Sequence, residues 1–303
     1  MSNYHIPVML KETIEYLAVK PAGWYVDCNL GGGGHTDEII KAGGKVIGID
    51  FDPDAIQEVA KKYNLKLEKA DSSLKAISDN LILYQSNFIH LKQIIDELKI
   101  GPVKGILFDL GISSYQLDQP QKGFSFNVEA PLDMRMDPNT PVKAADLVNA
   151  LHEGELAELF QKYGEESFAK PIAKKITEAR KIKKIDTTTE LAQIVLSVKR
   201  KRPGEKIHPA TQVFQALRIA VNDELHNLQE VLPQTLEVLE PGGRLVVISF
   251  HSLEDRIVKN YFKSEGEKGV LNILTQKPLT PKEEEITDNP RSRSAKLRVA
   301  EKL

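Results

Sequence analysis

Short apolar segments alternate with amphipathic segments along the first part of the chain. The apolar segments are rich in β-favouring side chains, and the amphipathic ones repeat their apolar residues at helical spacing. Four consecutive glycines, Gly31 to Gly34, separate the first apolar segment from the first amphipathic one. This alternation predicts a parallel sheet that helices cover on both faces. The predicted strands are 24–30, 45–50, 81–85 and 105–109, and the predicted helices are 36–42, 54–62 and 91–99.

The C-terminal part of the chain adds three more predicted strands. Residues 242–250 form an apolar run that is typical of a fifth parallel strand. Residues 270–274 and 295–300 have no helical pattern between them, so we expect them to pair antiparallel at one edge of the sheet. With right-handed crossovers, the predicted fold class is α/β, a doubly wound Rossmann-like sheet with an antiparallel C-terminal edge pair.

A long connection separates the fourth predicted strand from the fifth. Its length, roughly 130 residues, is far beyond that of an ordinary loop, so the connection must contain a domain. Helical patterns cover 144–151, 155–163, 168–181 and 189–198, and one helix over 211–239 is expected to return the chain to the sheet. We therefore predict a sheet domain from residues 1–138 and 209–303, with an inserted helical domain over 139–208.

Composition excludes several classes of protein and highlights one segment. The 303 residues carry a net charge of −2 and a single cysteine, so a disulfide scaffold or a cysteine-rich zinc site is excluded, and no metal site is predicted. The N-terminus has no secretory pattern and no apolar run long enough to span a membrane, which favours a cytoplasmic protein without a membrane partner. Between residues 170 and 208, however, the chain carries twelve basic and only four acidic residues, a pattern that favours contact with RNA phosphates.

The glycine loop and an acidic residue beyond it predict a nucleotide-like cofactor. Asp50 ends the second strand 23 residues after Asp27, the interval at which such folds bring a carboxylate to a ribose. Residue 36, where the dinucleotide fingerprint needs its third glycine, is threonine. The loop therefore suits S-adenosylmethionine better than a nicotinamide dinucleotide. A tight turn with a solvated aspartate is the plain structural alternative.

Six motifs in order resemble the small-subunit (16S) ribosomal RNA methyltransferase H family, of MraW type. The resemblance extends from His5 to the segment 291–294, nearly the whole chain. In the loop, Asn29 stands where that family more often has threonine. The motifs are Gly31–His35, Asp109–Ser114, Gly123–Phe126, Pro131–Met136, His208–Arg218 and Ser249–Arg256.

The resemblance implies an S-adenosylmethionine-dependent enzyme that methylates the exocyclic amine, N4, of one cytidine in the decoding region of 16S ribosomal RNA. It also implies the helical insertion, and it suggests the assembled small subunit as the substrate. The implied cofactor contacts are Gly33, Gly34, His35, Asp50, Phe88, Asp109 and Gln116.

Methyl transfer to an amine needs alignment and a hydrogen-bond acceptor more than it needs covalent machinery. Asp109 is the candidate acceptor and the predicted catalytic residue, although it is followed by Leu-Gly-Ile rather than by the Pro-Pro-aromatic run of many base-amine methyltransferases. A role in holding the cofactor alone remains open. Methylation at carbon-5 would require a cysteine nucleophile, for which the chain offers only Cys28 in the first strand.

Several other residues permit both a functional and a structural interpretation. Asp133 and Arg135 could meet a flipped base and a phosphate, or form a structural ion pair. Phe124 and Phe126 could stack on bases or fill a core, and His208 could cap the returning helix. At the level of whole functions, a non-catalytic ribosome-binding factor and, with less support, an NAD(P)-dependent oxidoreductase are the alternatives.

Overall fold

A computed structural model describes residues 7–70, 73–112, 117, 119–200, 204 and 207–303. The chain divides into two compact units, the first from residues 1–113 and 225–303 and the second from residues 114–224. The domain boundaries expected at 138/139 and 208/209 both fall inside the second unit. The helices of the described residues are α1 Leu10–Leu17, α2 Gly34–Lys41, α3 Pro53–Lys62, α4 Leu91–Leu98, α5 Ala144–Ala150, α6 Glu153–Gly164, α7 Ala169–Arg180, α8 Thr188–Val198, α9 Thr211–Asn222, α10 Glu224–Val238, α11 Ser252–Glu267 and α12 Glu283–Asp288.

The described strands of the first unit form one mixed sheet in the order β3-β4-β5-β2-β1-β6-β7-β9-β8. Its five central strands are parallel, and antiparallel strands flank them on both sides. The strands are β1 Trp24–Asp27, β2 Lys45–Asp50, β3 Glu68–Ala70, β4 Ser73–Ile77, β5 Leu81–Gln85, β6 Val103–Asp109, β7 Leu239–Ser249, β8 Leu271–Ile273 and β9 Lys296–Lys302.

The central strands are buried on both faces. Val26 and Phe108 belong to a core on one face with residues of α4, α10 and α11, whereas their sequence neighbours Tyr25 and Leu107 belong to a core on the other face with residues of α1, α2 and α3. Successive side chains of a strand point to opposite faces, so a strand that is apolar throughout requires cover on both sides. The predicted doubly wound architecture and its antiparallel C-terminal pair are confirmed.

The second unit contains helices α5 to α9. A reciprocal capping box begins α8, where Thr187 Oγ1 accepts a hydrogen bond from the Glu190 backbone N–H and the Glu190 carboxylate accepts one from the Thr187 N–H. Helix α9 packs so closely on α6 that a Cβ at Gly164 would lie only 2.4 Å from the Gln212 carbonyl oxygen. This packing explains why the second unit extends beyond residue 208. None of the helices in the described ranges is both long and apolar enough to cross a bilayer.

Several local features of the structure differ from the predictions, among them helix α1, which was not predicted. The single helix expected over 211–239 is wrong, because Asp223 adopts a left-handed backbone with φ of 51° and separates α9 from α10. The hairpin of β3 and β4 was not predicted, since its strands are short and carry lysine, glutamate and serine at the sheet edge. Helix α12, between β8 and β9, was also missed, since three successive glutamates at its start give no apolar periodicity.

Candidate active site

Three carboxylates lie at the carboxyl ends of three neighbouring strands. Asp50 ends β2, Asp27 ends β1 and Asp109 ends β6, and these strands are adjacent in the order β2-β1-β6. Parallel neighbours finish at the same edge, which is where open α/β sheets bind their ligands. The structure therefore brings together two of the predicted site residues, Asp50 and Asp109, with Asp27 between them.

The glycine loop after β1 has a backbone that only glycine adopts without strain at two positions. Gly31 and Gly33 have φ of 48° and 71°, and Gly33 is the N-terminal cap of α2. A Cβ at Gly33 would also lie 3.1 Å from Val59 Cγ2, in the tight range for such contacts. A larger residue at Gly33 would thus strain the turn and displace α3.

Thr36 fixes the first turn of α2 to the end of β1. Its hydroxyl donates a 2.8 Å hydrogen bond to Asp27 Oδ2, and both residues are buried. At the position where a dinucleotide-binding loop has its third glycine, this threonine therefore holds α2 against the end of β1. Burial raises the pKa of Asp27, and the Thr36 hydroxyl opposes that effect by stabilising the carboxylate.

Asp50 orders the loop through backbone donors. Its Oδ2 accepts a 2.9 Å hydrogen bond from the Gly31 N–H, and its Oδ1 accepts one of the same length from the Asp52 N–H. Burial raises the pKa of Asp50 from 3.8 to about 7, against the opposing effect of these two donors. A carboxylate has about four lone-pair positions, so Asp50 can still accept further hydroxyl donors from a ligand.

His35 and Asp109 meet below the loop. His35 Nδ1 lies 3.6 Å from Asp109 Oδ2, and these side chains are 5% and 9% exposed. The other ring nitrogen, Nε2, lies 3.1 Å from the Val8 carbonyl oxygen. Both ring nitrogens of His35 are therefore directed at protein groups.

Asn29 was not singled out as a site residue by sequence reasoning. Its backbone N–H donates to Asp27 Oδ1 over 3.4 Å, while its side-chain Oδ1 is buried and has no hydrogen-bond partner within the described ranges. A buried polar atom left without a partner costs free energy unless a ligand satisfies it. The only signal in the sequence was its place in the loop, where the resembling family more often has threonine.

Three further residues, Phe88, Gly34 and Gln116, were predicted to contact the cofactor. Phe88 follows β5 and is 7% exposed, and its ring packs edge-on against Phe108 with centroids 5.6 Å apart. Gly34 begins α2, and a Cβ there would lie 3.0 Å from Pro7 Cγ. Gln116 lies outside the described residues. The proposed cofactor contacts of all three stay predictions.

In the second unit, Asp133 and Arg135 form an ion pair. Arg135 donates from Nε and Nη2 to the two Asp133 oxygens over 2.7 and 3.0 Å, and its Nη1 donates to the carbonyls of Pro138 and Thr140. The guanidinium lowers the pKa of Asp133 in spite of partial burial. This geometry supports the structural interpretation of the pair.

The aromatic pair of the second unit also has protein partners. Phe126 stacks on His208 with centroids 4.5 Å apart and meets Phe214 edge-on, and Phe124 is buried. His208 Nδ1 accepts a hydrogen bond from the Ala210 N–H just before α9. Ala210 is itself the N-cap of α9 and no side chain caps its first turn, so the expectation that His208 caps this helix is wrong.

The basic segment of the second unit contains both structural and exposed cations. Lys199 donates to both oxygens of Glu166, whose side chain is fully buried, and to Gln212 Oε1. Lys201 and Arg202, predicted with it as phosphate contacts, lie outside the described residues. The exposed cations of this segment include Lys170, Lys174, Lys175, Lys181, Lys184 and Arg200.

Comparison with known proteins shows the family to which this chain belongs. The chain is 49% identical over 320 residues to a protein named ribosomal RNA small subunit methyltransferase H from Carboxydothermus hydrogenoformans, with 100% of this chain and 99% of the relative covered. A protein of the same name from Heliobacterium mobile is 45% identical, with both chains covered completely. A crystal structure of an rRNA methylase from Streptococcus thermophilus covers 98% of both chains at a TM-score of 0.44 and 12% identity, which adds nothing to the topology seen directly. The model of the MraW methylase family matches residues 2–303, and the chain belongs to that family.

Proposed function

We propose that this protein transfers the methyl group of S-adenosylmethionine to the N4 amine of a cytidine in the decoding region of 16S ribosomal RNA within the assembled small subunit. The observation that carries the proposal is the row of Asp50, Asp27 and Asp109 beside the glycine loop. It combines an anchor for a cofactor with a carboxylate that can accept a proton. Such a substrate also implies a cytoplasmic enzyme.

The residues of the loop have the hydrogen-bonding chemistry that this cofactor requires. When bound, the cofactor supplies an electrophilic methyl group on a positively charged sulfur. Asp50 would accept the ribose hydroxyls, because its carboxylate retains acceptor capacity beyond the Gly31 and Asp52 N–H groups. Asn29 Oδ1, which has no hydrogen-bond partner among the residues that the structure describes, fits the ammonium group of the amino-acid part, which is a donor only.

The choice of an amine rather than a ring carbon follows from the single cysteine. Cys28 is buried directly after β1, and burial raises the pKa of its thiol well above the usual range. A thiol held in the protonated form is a poor nucleophile, and attack on carbon-6 of a pyrimidine requires the thiolate. An amine needs only an acceptor for its proton, which Asp109 provides at the end of β6.

Ribosomal RNA as substrate is supported by the names of the two relatives and by the exposed cations of the second unit. Lysine and arginine bind phosphates without reading sequence, so this surface would supply affinity. Choice of one cytidine would then depend on the shape of the RNA around it.

Nucleoside mass spectrometry tests the proposal. Purified protein and S-adenosylmethionine are incubated with small subunits from a strain that lacks the enzyme, and in parallel with 16S RNA stripped of proteins. We expect one N4-methylcytidine per subunit and much less on bare RNA. Formation of 5-methylcytidine would contradict the assignment of the acceptor atom.

The same experiment tests the alternative of a non-catalytic binding factor. That alternative predicts subunit binding without any new methyl group, in the wild type and in Asp109→Asn alike. Because the chain belongs to a methylase family, the oxidoreductase alternative is set aside.

A further inference from the structure

The hydrogen bond at Nε2 determines where the neutral His35 ring carries its proton. Nε2 lies 3.1 Å from the Val8 carbonyl oxygen, and a carbonyl oxygen can only accept. Nε2 must therefore be the donor. In the neutral ring, Nδ1 then has a free lone pair.

That lone pair faces a second acceptor. Nδ1 and Asp109 Oδ2 are 3.6 Å apart, beyond hydrogen-bond distance, as expected when neither atom carries a proton. One proton delivered to either atom would convert this contact into a charge-assisted hydrogen bond, which is short and strong. The pair is thus arranged to receive a single proton.

Two carboxylates lie beside the ring. His35 and Asp109 are shielded from water, and Asp109 from β6 and Asp27 from β1 both interact with the ring. A proton transferred to Nδ1 would therefore lie beside carboxylates rather than in an apolar environment.

We propose that the His35 side chain is a positioning residue for Asp109, and that it receives through Asp109 the proton that the substrate amine releases. This inference rests on the proposed methyl transfer. The amine lone pair forms the N–C bond, the S–C bond breaks with its electrons left on sulfur, and the nitrogen loses one proton to Asp109 Oδ2. From Oδ2 the proton moves to Nδ1 of His35, and it returns to water after the product leaves.

Charge balance supports this route. Before transfer, the positive sulfonium is matched by the negative Asp109. After transfer, sulfur is neutral, and the proton on His35 matches the restored Asp109 carboxylate. The net charge of the buried site therefore stays the same throughout the transfer, so no additional charge has to be buried where water is excluded.

The first test examines the protons directly and needs no variant. Nitrogen-15 NMR of histidine-labelled protein, free and with S-adenosylhomocysteine, distinguishes a protonated ring nitrogen from an unprotonated one. We expect His35 in the free protein at pH 8 to be protonated at Nε2 and unprotonated at Nδ1. A proton found on Nδ1 of a neutral ring would overturn the proposal.

The second test separates proton handling from cofactor binding. Neither His35→Asn nor His35→Gln can take up a proton, and the longer Gln amide lies near the position of Nε2, where it keeps a donor for the Val8 carbonyl. We expect the single-turnover rate to fall about 100-fold, a usual size for one proton-transfer group, while the Kd of S-adenosylhomocysteine changes by less than about threefold. Imidazole in the buffer should restore part of the rate.

The control replaces His226, an exposed histidine on α10, by asparagine and should change neither quantity. If His35→Asn weakens cofactor binding by the same factor as it lowers the rate, His35 is a cofactor contact and the proposal fails. Failure of the proposed function would look different, since the wild-type protein would then transfer no methyl group while its NMR spectrum still reported the proton on Nε2.

Discussion

Asp50→Asn tests whether the carboxylate at the end of β2 lowers the stability of the cofactor-free protein while it strengthens cofactor binding. Burial raises the pKa of Asp50 from 3.8 to about 7, and each pKa unit corresponds to about 1.4 kcal/mol. Ionising Asp50 in the cofactor-free protein therefore costs up to about 4 kcal/mol relative to the unfolded chain. This is an upper limit, because the side chain remains partly exposed.

The sign of the effect with pH follows from the direction of the shift. A carboxyl whose pKa is raised on folding contributes its stability below pH 4 and loses it as pH rises through about 7. Asparagine does not ionise, and the cost of losing one of the two backbone hydrogen bonds to Asp50 does not depend on pH. We therefore expect the stability of Asp50→Asn relative to wild type, measured by urea unfolding, to rise by about 2–3 kcal/mol between pH 5 and pH 8.

Cofactor affinity should change in the opposite direction. Loss of the charged acceptor should weaken binding of S-adenosylhomocysteine at pH 8 by about 1.5–3 kcal/mol, measured by calorimetry. Equal stability differences at pH 5 and pH 8 would refute the argument from burial. Unchanged affinity would refute the role of Asp50 at the ribose.

Three further changes test other parts of the structure. Asn29→Ala should leave the unfolding free energy of the cofactor-free protein unchanged or higher, because Asn29 Oδ1 loses no partner among the described residues. It should reduce the affinity for S-adenosylhomocysteine by about 1–3 kcal/mol, and lower stability with unchanged affinity would contradict this. Lys199→Met should destabilise the protein in urea unfolding by about 3–5 kcal/mol because it leaves the Glu166 carboxylate buried and unpaired, and Glu166→Gln in the same chain should restore part of the loss. Lys181→Ala with Lys184→Ala should reduce the slope of RNA affinity against salt by about 2, if each lysine contacts one phosphate; an unaltered slope would place the RNA elsewhere.

The parts of the fold that sequence predicted best are those in which burial controls the pattern. β2 and β5 begin and end at the predicted residues, because both faces of the central sheet are covered and polar residues mark the ends of the apolar runs. The β3–β4 hairpin pairs through backbone hydrogen bonds at an edge, where side chains are not constrained to be apolar. The break at Asp223 was equally hidden, because the amphipathic pattern continues across it and aspartate is not a strong helix breaker.

In the candidate site, too, the sequence predicted some features and others are visible only in the structure. Spacing along the chain placed Asp50 and Asp109 at one edge of the sheet, since the end of a parallel strand is a position that sequence reveals. The partners of individual atoms are not encoded in spacing. Only the structure shows that the His35 ring lies between Val8 and Asp109, and that the Asn29 carboxamide oxygen has no donor in the described part of the chain.

The connection between β6 and β7 has a consequence for how this enzyme could diversify. These strands are parallel neighbours, so the chain must cross from one end of the sheet to the other before β7 can begin. Helix α10, which leads directly into β7, is long enough to make that crossing by itself. The number of residues ahead of α10 therefore does not affect the topology of the sheet, and evolution can remodel the helices that precede α10 while leaving the carboxyl edge of the central strands intact.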